Sequence, residues 1–479
     1  MRNCQIFTPP EIVNKMLDML DYTGDNIKTK TIFEPSFGGG AFLTQIVDRI
    51  FEYSKSNHLT SEETVLILNN VHGVELDRNW YDKTIELLAN KCVERGIDYD
   101  WTRNLLCADT TTLDISNQYD LCIGNPPFIR IHSLNSTERE VIENNFKFGQ
   151  GNTDLYIIFF ELGLKSLKSD GKLCYISPNS FLRNSSQKQF REYLADNHLV
   201  ESIIDYATVP VFGKVATYTA ITLLDMAGEN KETEYTMMKS MKEEDWTTSV
   251  NLCNFGEKPW SVTNSSDEKL LKEIATRKTK LSDLCDIQYG LATNADKVYV
   301  VDKKDVGGFE ADILRPIVKG STLASDGFVI FPYQFNTETQ RYELIGEERL
   351  RNEFPKTYEF LSANKTRLEI RDLEKNAVWY QYGRSQGIQN SRQCKFVIKH
   401  VVADDDKTCQ VVRVDDNTLV YSGMFITMKD EANAELVRKT LMSEEFCRYV
   451  KLVGKNMAGG YKSFNTAAVK NFGIKEKEK

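Results

Sequence analysis

The 479-residue chain is 41% hydrophobic and 11% aromatic, the composition of a globular protein with enough apolar surface for two domains, or three. It has no apolar stretch long enough to span a bilayer. Its ten cysteines include no Cys-x-x-Cys pair and its five histidines lack metal-ligand spacing, which sets aside a disulfide framework, a zinc knuckle and a catalytic metal.

The opening Met1-Arg2-Asn3-Cys4-Gln5 runs straight into motif-like residues, so no secretory leader is expected. Reduced thiols then fit a cytoplasmic protein. Net charge is −9, which by itself disfavours a nucleic-acid partner. The acidity is N-terminal, however: residues 281–479 hold 30 Lys+Arg against 29 Asp+Glu. The stretches Lys365 to Lys399 and Phe446 to Lys475 are locally basic, the second with six cations and no acid. Such stripes can contact phosphates in a protein of acidic mean charge, although a solvated face is the commoner reading of a single stripe.

Phe7-Thr8-Pro9-Pro10-Glu11 opens the first helix, with Thr8 as N-cap, Pro9 at the first helical position and Glu11 closing a capping box. Ile12, Met16, Leu17 and Leu20 recur on one face. Thr31-Ile32-Phe33-Glu34 is a short strand, Pro35-Ser36-Phe37-Gly38-Gly39-Gly40 a glycine-rich turn, and Ala41 to Ile50 a helix. Strand, glycine turn and helix make the cofactor-binding arrangement of doubly wound sheets. The spacing is not Gly-x-Gly-x-x-Gly, and no Lys-Ser/Thr follows for a phosphate loop. Glu34 would repel a pyrophosphate and suit a ligand carrying an ammonium group.

Val71 to Asp77 is a second strand ending in acids, with Glu75 placed to accept the hydroxyls of a ribose. Leu105 to Asp109 is a third and Tyr119 to Gly124 a fourth. Each ends in a polar group at the same sheet edge: Glu34, Glu75, Asp109 and Asn125. Ligands of such sheets bind in the crevice at the carboxyl ends of the strands. Asn125-Pro126-Pro127-Phe128 then holds an amide on a stiff extended turn, because proline neither joins a ladder nor tolerates a helical predecessor. An amide oxygen, the Pro126 carbonyl and the Phe128 face together suit an exocyclic amino group on a planar base. As a tetrapeptide alone it is equally an ordinary turn with a core phenylalanine.

This order of motifs resembles the N6-adenine DNA methyltransferases of the gamma arrangement, the TaqI-like group of restriction–modification enzymes. The likeness covers most of residues 5–225 and continues more loosely to the C-terminus. It implies an α/β fold: a Rossmann-like domain with a seven-stranded sheet binding S-adenosyl-L-methionine over 1–245, then a mixed α+β target-recognition domain over 246–479. By the resemblance Phe7, Thr8 and Pro9 meet the methionine end of the cofactor. Glu34, Pro35, Gly38 and Gly40 form its loop, Glu75 holds the ribose, Leu76 packs on the cofactor adenine, and Asp109 accepts the adenine amine. Asn125 and Pro126, with Pro127 and Phe128, form the catalytic turn, with Asn125 also against the cofactor. Phe212, in the loop Val209-Pro210-Val211-Phe212-Gly213-Lys214-Val215, joins Phe128 against an extruded target adenine; spacing alone would read it as a packing residue.

The remaining elements follow. Asn152 to Leu167 reads as an amphipathic helix turned by Asp170-Gly171 into the strand Lys172 to Ile176. A helix over Ser186–Asn197 and strands Val200–Tyr206 and Thr219–Leu224 complete the sheet. A polar stretch, Glu229 to Asp245, and the loop Asn264-Ser265-Ser266-Asp267 place the domain boundary near 245–265. Leu281 to Tyr299, Trp379-Tyr380 and Gly459-Gly460-Tyr461-Lys462-Ser463-Phe464 resemble the specificity domains of the same group. Gln288, Arg384, Gln386, Gln389 and Arg392 are side chains of the type that reads base edges.

The implied partners are double-stranded DNA and, optionally, a separate cognate restriction endonuclease; no membrane and no metal are involved, and a bacterial or phage-encoded cytoplasmic monomer is expected. The few residues before Phe7 leave no room for an N-terminal nuclease. Alternatives are methylation of cytosine N4, RNA or a protein glutamine, and a catalytically idle specificity subunit. The long C-terminal region favours duplex DNA over the first group, and the intact motif set argues against the last.

Overall fold

The computed structural model describes residues 7–475, except 152, 208, 214–217, 374–376, 385, 390–391 and 458–460. The expectations resting on Asn152, on Lys214-Val215 and on Gly459-Gly460 fall outside the described residues. The chain forms two compact units, which part between Asn264 and Ser265.

In the first unit, short runs that alternate with helices become a central sheet. Its strands are β1 (Ile32–Glu34), β2 (Val71–Glu75), β3 (Leu105–Cys107), β4 (Tyr119–Gly124), β5 (Leu167–Pro178), β6 (Val200–Asp205), β7 (Thr219–Asp225), β8 (Thr233–Met238) and β9 (Glu244–Val250). Their spatial order is β3-β2-β1-β4-β5-β7-β6-β8-β9. β1, β2, β3, β4 and β5 run parallel, whereas β7 is antiparallel to both of its neighbours. All the strands expected from sequence are present. β1 and β4 are buried along their whole length, as parallel strands covered by helices on both faces must be. Two apolar clusters flank the sheet. One is built on the helices Pro10–Met19 and Ala41–Ser56, the other on Leu155–Ser166 and Lys188–Asp196.

Three expectations are corrected here. The sheet has nine strands rather than seven, because the polar stretch Glu229 to Asp245, read as the approach to the domain boundary, contributes β8 and the first residues of β9: Tyr235 of β8 is fully buried, while β9 is an edge with alternating exposed residues. The helix Leu155–Ser166 is not amphipathic; residues 155–164 are all buried, as an all-round apolar sequence requires. Its one acid, Glu161, accepts hydrogen bonds from the N–H groups of Lys147 and Phe148 at 2.9 and 3.0 Å. Finally, the first helix begins at Pro10, not Pro9. A residue before proline is forced extended, and Pro9, at φ −58 and ψ 143, is the N-cap with no side-chain cap.

The second unit is mixed α+β. Cys285–Tyr289 pairs with Met424–Met428, which pairs with Lys395–Ile398 and so with Val411–Val414. A further four-stranded sheet joins Val300–Asp302, Ala324–Ile330, Leu314–Lys319 and Leu419–Tyr421. Helices Ala434–Leu441 and Glu444–Val453 pack into a cluster that includes Phe446, Phe464 and Phe472.

Candidate active site

β4 stops at Gly124 because Pro126 and Pro127 cannot extend the ladder. A Cβ at Gly124 would lie 3.7 Å from both Glu34 Cγ and Tyr175 Cε1, so the ends of β1, β4 and β5 meet here. Asn125 is half-buried and its Nδ2 donates to Thr8 Oγ1 at 3.2 Å. Thr8, which is not the helix cap, is therefore a buried hydroxyl that orients the Asn125 amide: with Nδ2 turned towards Thr8, the carbonyl oxygen points the other way.

The glycine-rich turn is held from three sides. Gly38 N–H donates to Glu75 Oε2 at 2.8 Å. Thr84 Oγ1 donates to the Gly38 carbonyl at 2.9 Å, and Thr110 Oγ1 to the Pro35 carbonyl at 2.6 Å. Gly40 sits at φ +75, a conformation costly to any residue with a Cβ, and a Cβ there would lie 2.7 Å from Thr84 Cγ2. Glu75 also accepts from Asp77 N–H at 2.8 Å, through Oε1. Its carboxylate thus braces the loop and the following turn, a role that sequence reading missed. Each carboxylate oxygen has a second lone pair, so bracing leaves acceptor capacity for a diol. Asp109 likewise caps the turn after β3, accepting from Thr111 N–H and Oγ1 at 2.9 and 2.7 Å through Oδ1.

These strand ends open on a cavity of about 960 Å³, the upper end of the range for small-molecule sites. It is lined by Phe7, Thr8, Glu34, Pro35, Gly38, Glu75, Leu76, Asp109 and the whole turn Asn125–Phe128. Pro9, Gly40 and Phe212 do not line it; they carry or flank residues that do. Glu34 is buried, and burial followed by the neighbouring Glu75 charge raises its carboxyl well above the ordinary range, against the pull of the Leu43 N–H. Its Oε2 has no hydrogen-bond partner among the described residues. Burial likewise raises Glu75, offset in part by its two N–H donors. A buried carboxyl facing a cavity with one oxygen unpartnered among the described residues is suited to a cation.

Leu76 is 66% exposed on the cavity wall, a flat apolar surface suited to a planar ring. Phe7 packs edge-on against Trp80 at 5.5 Å, and the missing side chain of Gly39 gives its ring room. Trp80, with Lys83 over its ring at 4.9 Å, was not singled out in the sequence. Both follow the N-cap Asp77 on the helix face towards the cavity, and the signal was their spacing from that cap.

Phe128 and Phe212 lie with ring centroids 6.2 Å apart at 58°. Phe212 is buried and Phe128 half-buried, so the structure does bring together the two aromatics expected at the target base. The loop carrying Phe212 starts from Asp205, a fully buried carboxylate that no sequence signal marked. It accepts from Asn179 Nδ2 at 2.7 Å, Ala207 N–H at 2.8 Å and Tyr235 OH at 2.6 Å, with Arg183 at 3.9 Å. Ala207 is held at φ +45.

The candidate base readers of the second unit fare unevenly. Both amide atoms of Gln389 are taken up by the Tyr342 backbone, Arg384 pairs with Asp372, and Arg392 stacks on Phe335 at 4.0 Å. The basic stripe near the C-terminus is partly neutralised by acids elsewhere in the chain, Arg448 by Asp267 and Lys475 by Glu445.

The first unit has the S-adenosylmethionine-dependent methyltransferase fold: a mostly parallel sheet with one strand inserted antiparallel, and a glycine-rich turn after its first strand. Residues 48–212 match the family described as Eco57I restriction-modification methylase, a segment running from the helix after the glycine turn to Phe212. Across 91% of its length the chain is 24% identical to the type II methyltransferase M.BstVI of Geobacillus stearothermophilus, covering 84% of that protein. It is 24% identical over 58% of its length to the restriction enzyme and methyltransferase RM.Eco57I of Escherichia coli, but spans only 32% of that longer protein. In structure it is similar to the type IIL restriction-modification enzyme MmeI solved with DNA, with a TM-score of 0.62 at 14% identity over 96% of this chain and 64% of that one. The matched segment is thus similar to methylases of restriction-modification type.

Proposed function

We propose that the protein is a site-specific DNA methyltransferase that uses S-adenosyl-L-methionine to methylate adenine N6 in duplex DNA. The first unit carries the chemistry and the second reads the target. The observation that carries this reading is the meeting, in one cavity, of an oriented Asn125 amide with the acids Glu34, Glu75 and Asp109. The likeness to a type II methyltransferase and to a type II restriction enzyme and methyltransferase supports it.

The residues present fit the cofactor. Glu34 would take the methionine ammonium beside Phe7 and Thr8, Glu75 the ribose hydroxyls, and Leu76 and Asp109 the adenine. S-adenosylmethionine supplies an electrophilic methyl. The protein must then make N6 a nucleophile, although its lone pair is delocalised into the ring. Acceptance of the two N6–H bonds by Asn125 Oδ1 and the Pro126 carbonyl favours a pyramidal nitrogen with a localised lone pair. With the Asn125 NH₂ held by Thr8, the amide oxygen is left to meet the base. Phe128 stacks on the ring and stabilises the positive charge that grows there, by about 1–2 kcal/mol in a desolvated site. Flipping the base costs a few kcal/mol, and stacking on Phe128, whose ring packs against Phe212, offsets part of it. Positioning and electrostatics carry the rate.

The test is transfer of labelled methyl groups from S-adenosylmethionine to unmodified genomic DNA. Label in N6-methyladenine, lost in Asn125→Ala, is the expected result. Label in N4-methylcytosine, in RNA or in protein would replace the substrate named here, and equal transfer by Asn125→Ala would refute the mechanism.

A further inference from the structure

The second unit contains its own groove, of about 550 Å³, lined among others by Tyr289, Asn294, Asp296, Lys297, Arg367 and Gln386. Its charge is unbalanced. Lys297 and Arg367 are exposed, and no hydrogen bond or ion pair engages either among the described residues. Behind the wall, Arg371 donates to the carbonyls of Thr293 at 2.6 Å, Leu368 at 2.8 Å, Trp379 at 2.9 Å and Gln381 at 3.0 Å, and among the described residues no carboxylate pairs with it. The one acid of the lining, Asp296, is held by the Thr293 hydroxyl. In a chain of net charge −9 this is a local excess of positive charge.

The groove is also preformed. Asn294 and Ser422, both in its lining, are non-glycine residues at φ +52 and +50. Such conformations persist where surrounding structure enforces them. Here Asn294 Nδ2 is tied to the Asp372 carbonyl at 2.9 Å, and Gln386 Nε2 to the Gly290 carbonyl at 3.1 Å. Gly387, at φ +76, lets the backbone close against the Tyr289 carbonyl, where a Cβ would come within 2.8 Å. Tyr289 itself remains 43% exposed, an aromatic face beside two uncommitted cations.

We propose that this groove binds the sugar–phosphate backbone of DNA, with Lys297 and Arg367 on phosphates and the Tyr289 ring against the adjoining sugar. Free cations beside an aromatic plane are what such a backbone requires. The site fixes register and orientation rather than sequence. This rests on DNA being the substrate.

The experiment is DNA binding by the full chain, followed by fluorescence anisotropy of a labelled duplex across a salt series, for wild type, Lys297→Gln, Arg367→Gln, the double variant and Tyr289→Ala. Each lost phosphate contact lowers the slope of log affinity against log salt by about 0.9, so the double variant is expected to lose about 1.8. Tyr289→Ala is expected to weaken binding with the slope unchanged. Thermal melting of the full chain, followed by circular dichroism, is expected to stay at the wild-type value in all four and so reports on folding of both units. An unchanged slope and affinity in the double variant, or a loss confined to a duplex RNA probe, overturns the proposal. Methyl transfer is read separately: wild-type protein that binds DNA with the expected slopes but methylates none of it refutes the proposed function and leaves the groove standing.

Discussion

Asp205→Asn tests whether a buried carboxylate holds the loop that brings Phe212 to Phe128. The carboxylate accepts three hydrogen bonds of 2.6–2.8 Å and faces Arg183 at 3.9 Å. In the amide one oxygen becomes a donor. The Ala207 N–H and the Asn179 amide need the remaining oxygen, so the new NH₂ falls to Tyr235. The Tyr235 hydroxyl can turn to accept, but its own proton then loses a buried, charge-assisted partner worth about 1.5–3 kcal/mol. Arg183 loses its counter-charge as well. The expected cost is about 2–3 kcal/mol, a fall of roughly 4–12 °C in the melting of the first unit. Asp205→Ala strands all three donors and is expected to cost more, about 3–6 kcal/mol. The functional readout separates positioning from general damage. None of the groups that hydrogen-bond or ion-pair with Asp205 among the described residues lines the cavity, so S-adenosylmethionine affinity measured by calorimetry should hold within about twofold, while methyl transfer at saturating DNA falls about tenfold or more, as displacement of a reacting group predicts. Unchanged melting, or equal losses of cofactor binding and methyl transfer, would refute the argument.

Three more expectations follow from individual contacts. Gly40→Ala places a Cβ at φ +75, costing about 1–2 kcal/mol, and displaces Thr84 from its 2.9 Å bond to the Gly38 carbonyl, about 1 kcal/mol more; melting of the first unit should fall by roughly 4–12 °C. Lys395 is buried, and burial lowers its ammonium to about 8. The unfolded chain, with an ordinary value of about 10.4, then holds more protons between those two values, so stability should rise with pH across that window, by about 2–3 kcal/mol in all; pH-resolved urea melts should show the rise in wild type and not in Lys395→Met. Glu445, hydrogen-bonded by Arg277 at 2.7 and 2.8 Å, is held down at about 2. Its contribution is present above the unfolded value near 4.3 and fades as pH falls towards about 2, so Glu445→Gln should cost the second unit about 1–2 kcal/mol at neutral pH and converge with wild type at low pH.

The sequence by itself determined where the strands of the first unit end and which polar residues stand at those ends. A strand followed by a glycine turn or by Asn-Pro-Pro has few conformations open to it, so Glu34, Glu75, Asp109 and Asn125 were legible as one row on a sheet edge. That much is local, because φ restriction at proline and access to positive φ at glycine act within a few residues. What only the tertiary structure decided lies in contacts between segments far apart in the chain. Thr8 reads locally as a helix cap, yet it orients Asn125, 117 residues away. Glu75 reads as a ligand and turns out also to brace the Gly38 loop. Asp205 carried no motif, because its partners come from β8, from the turn after β5 and from its own loop. The polar run 229–245 marked the approach to the domain boundary, and holds a strand because the open side of β6 supplied a partner for β8. Gln389 and Arg384 had the chemistry of base readers, but neighbouring backbone and a carboxylate claim their donors. Side-chain chemistry is written in the residue; whether a donor is already spent is settled by whatever the fold places beside it.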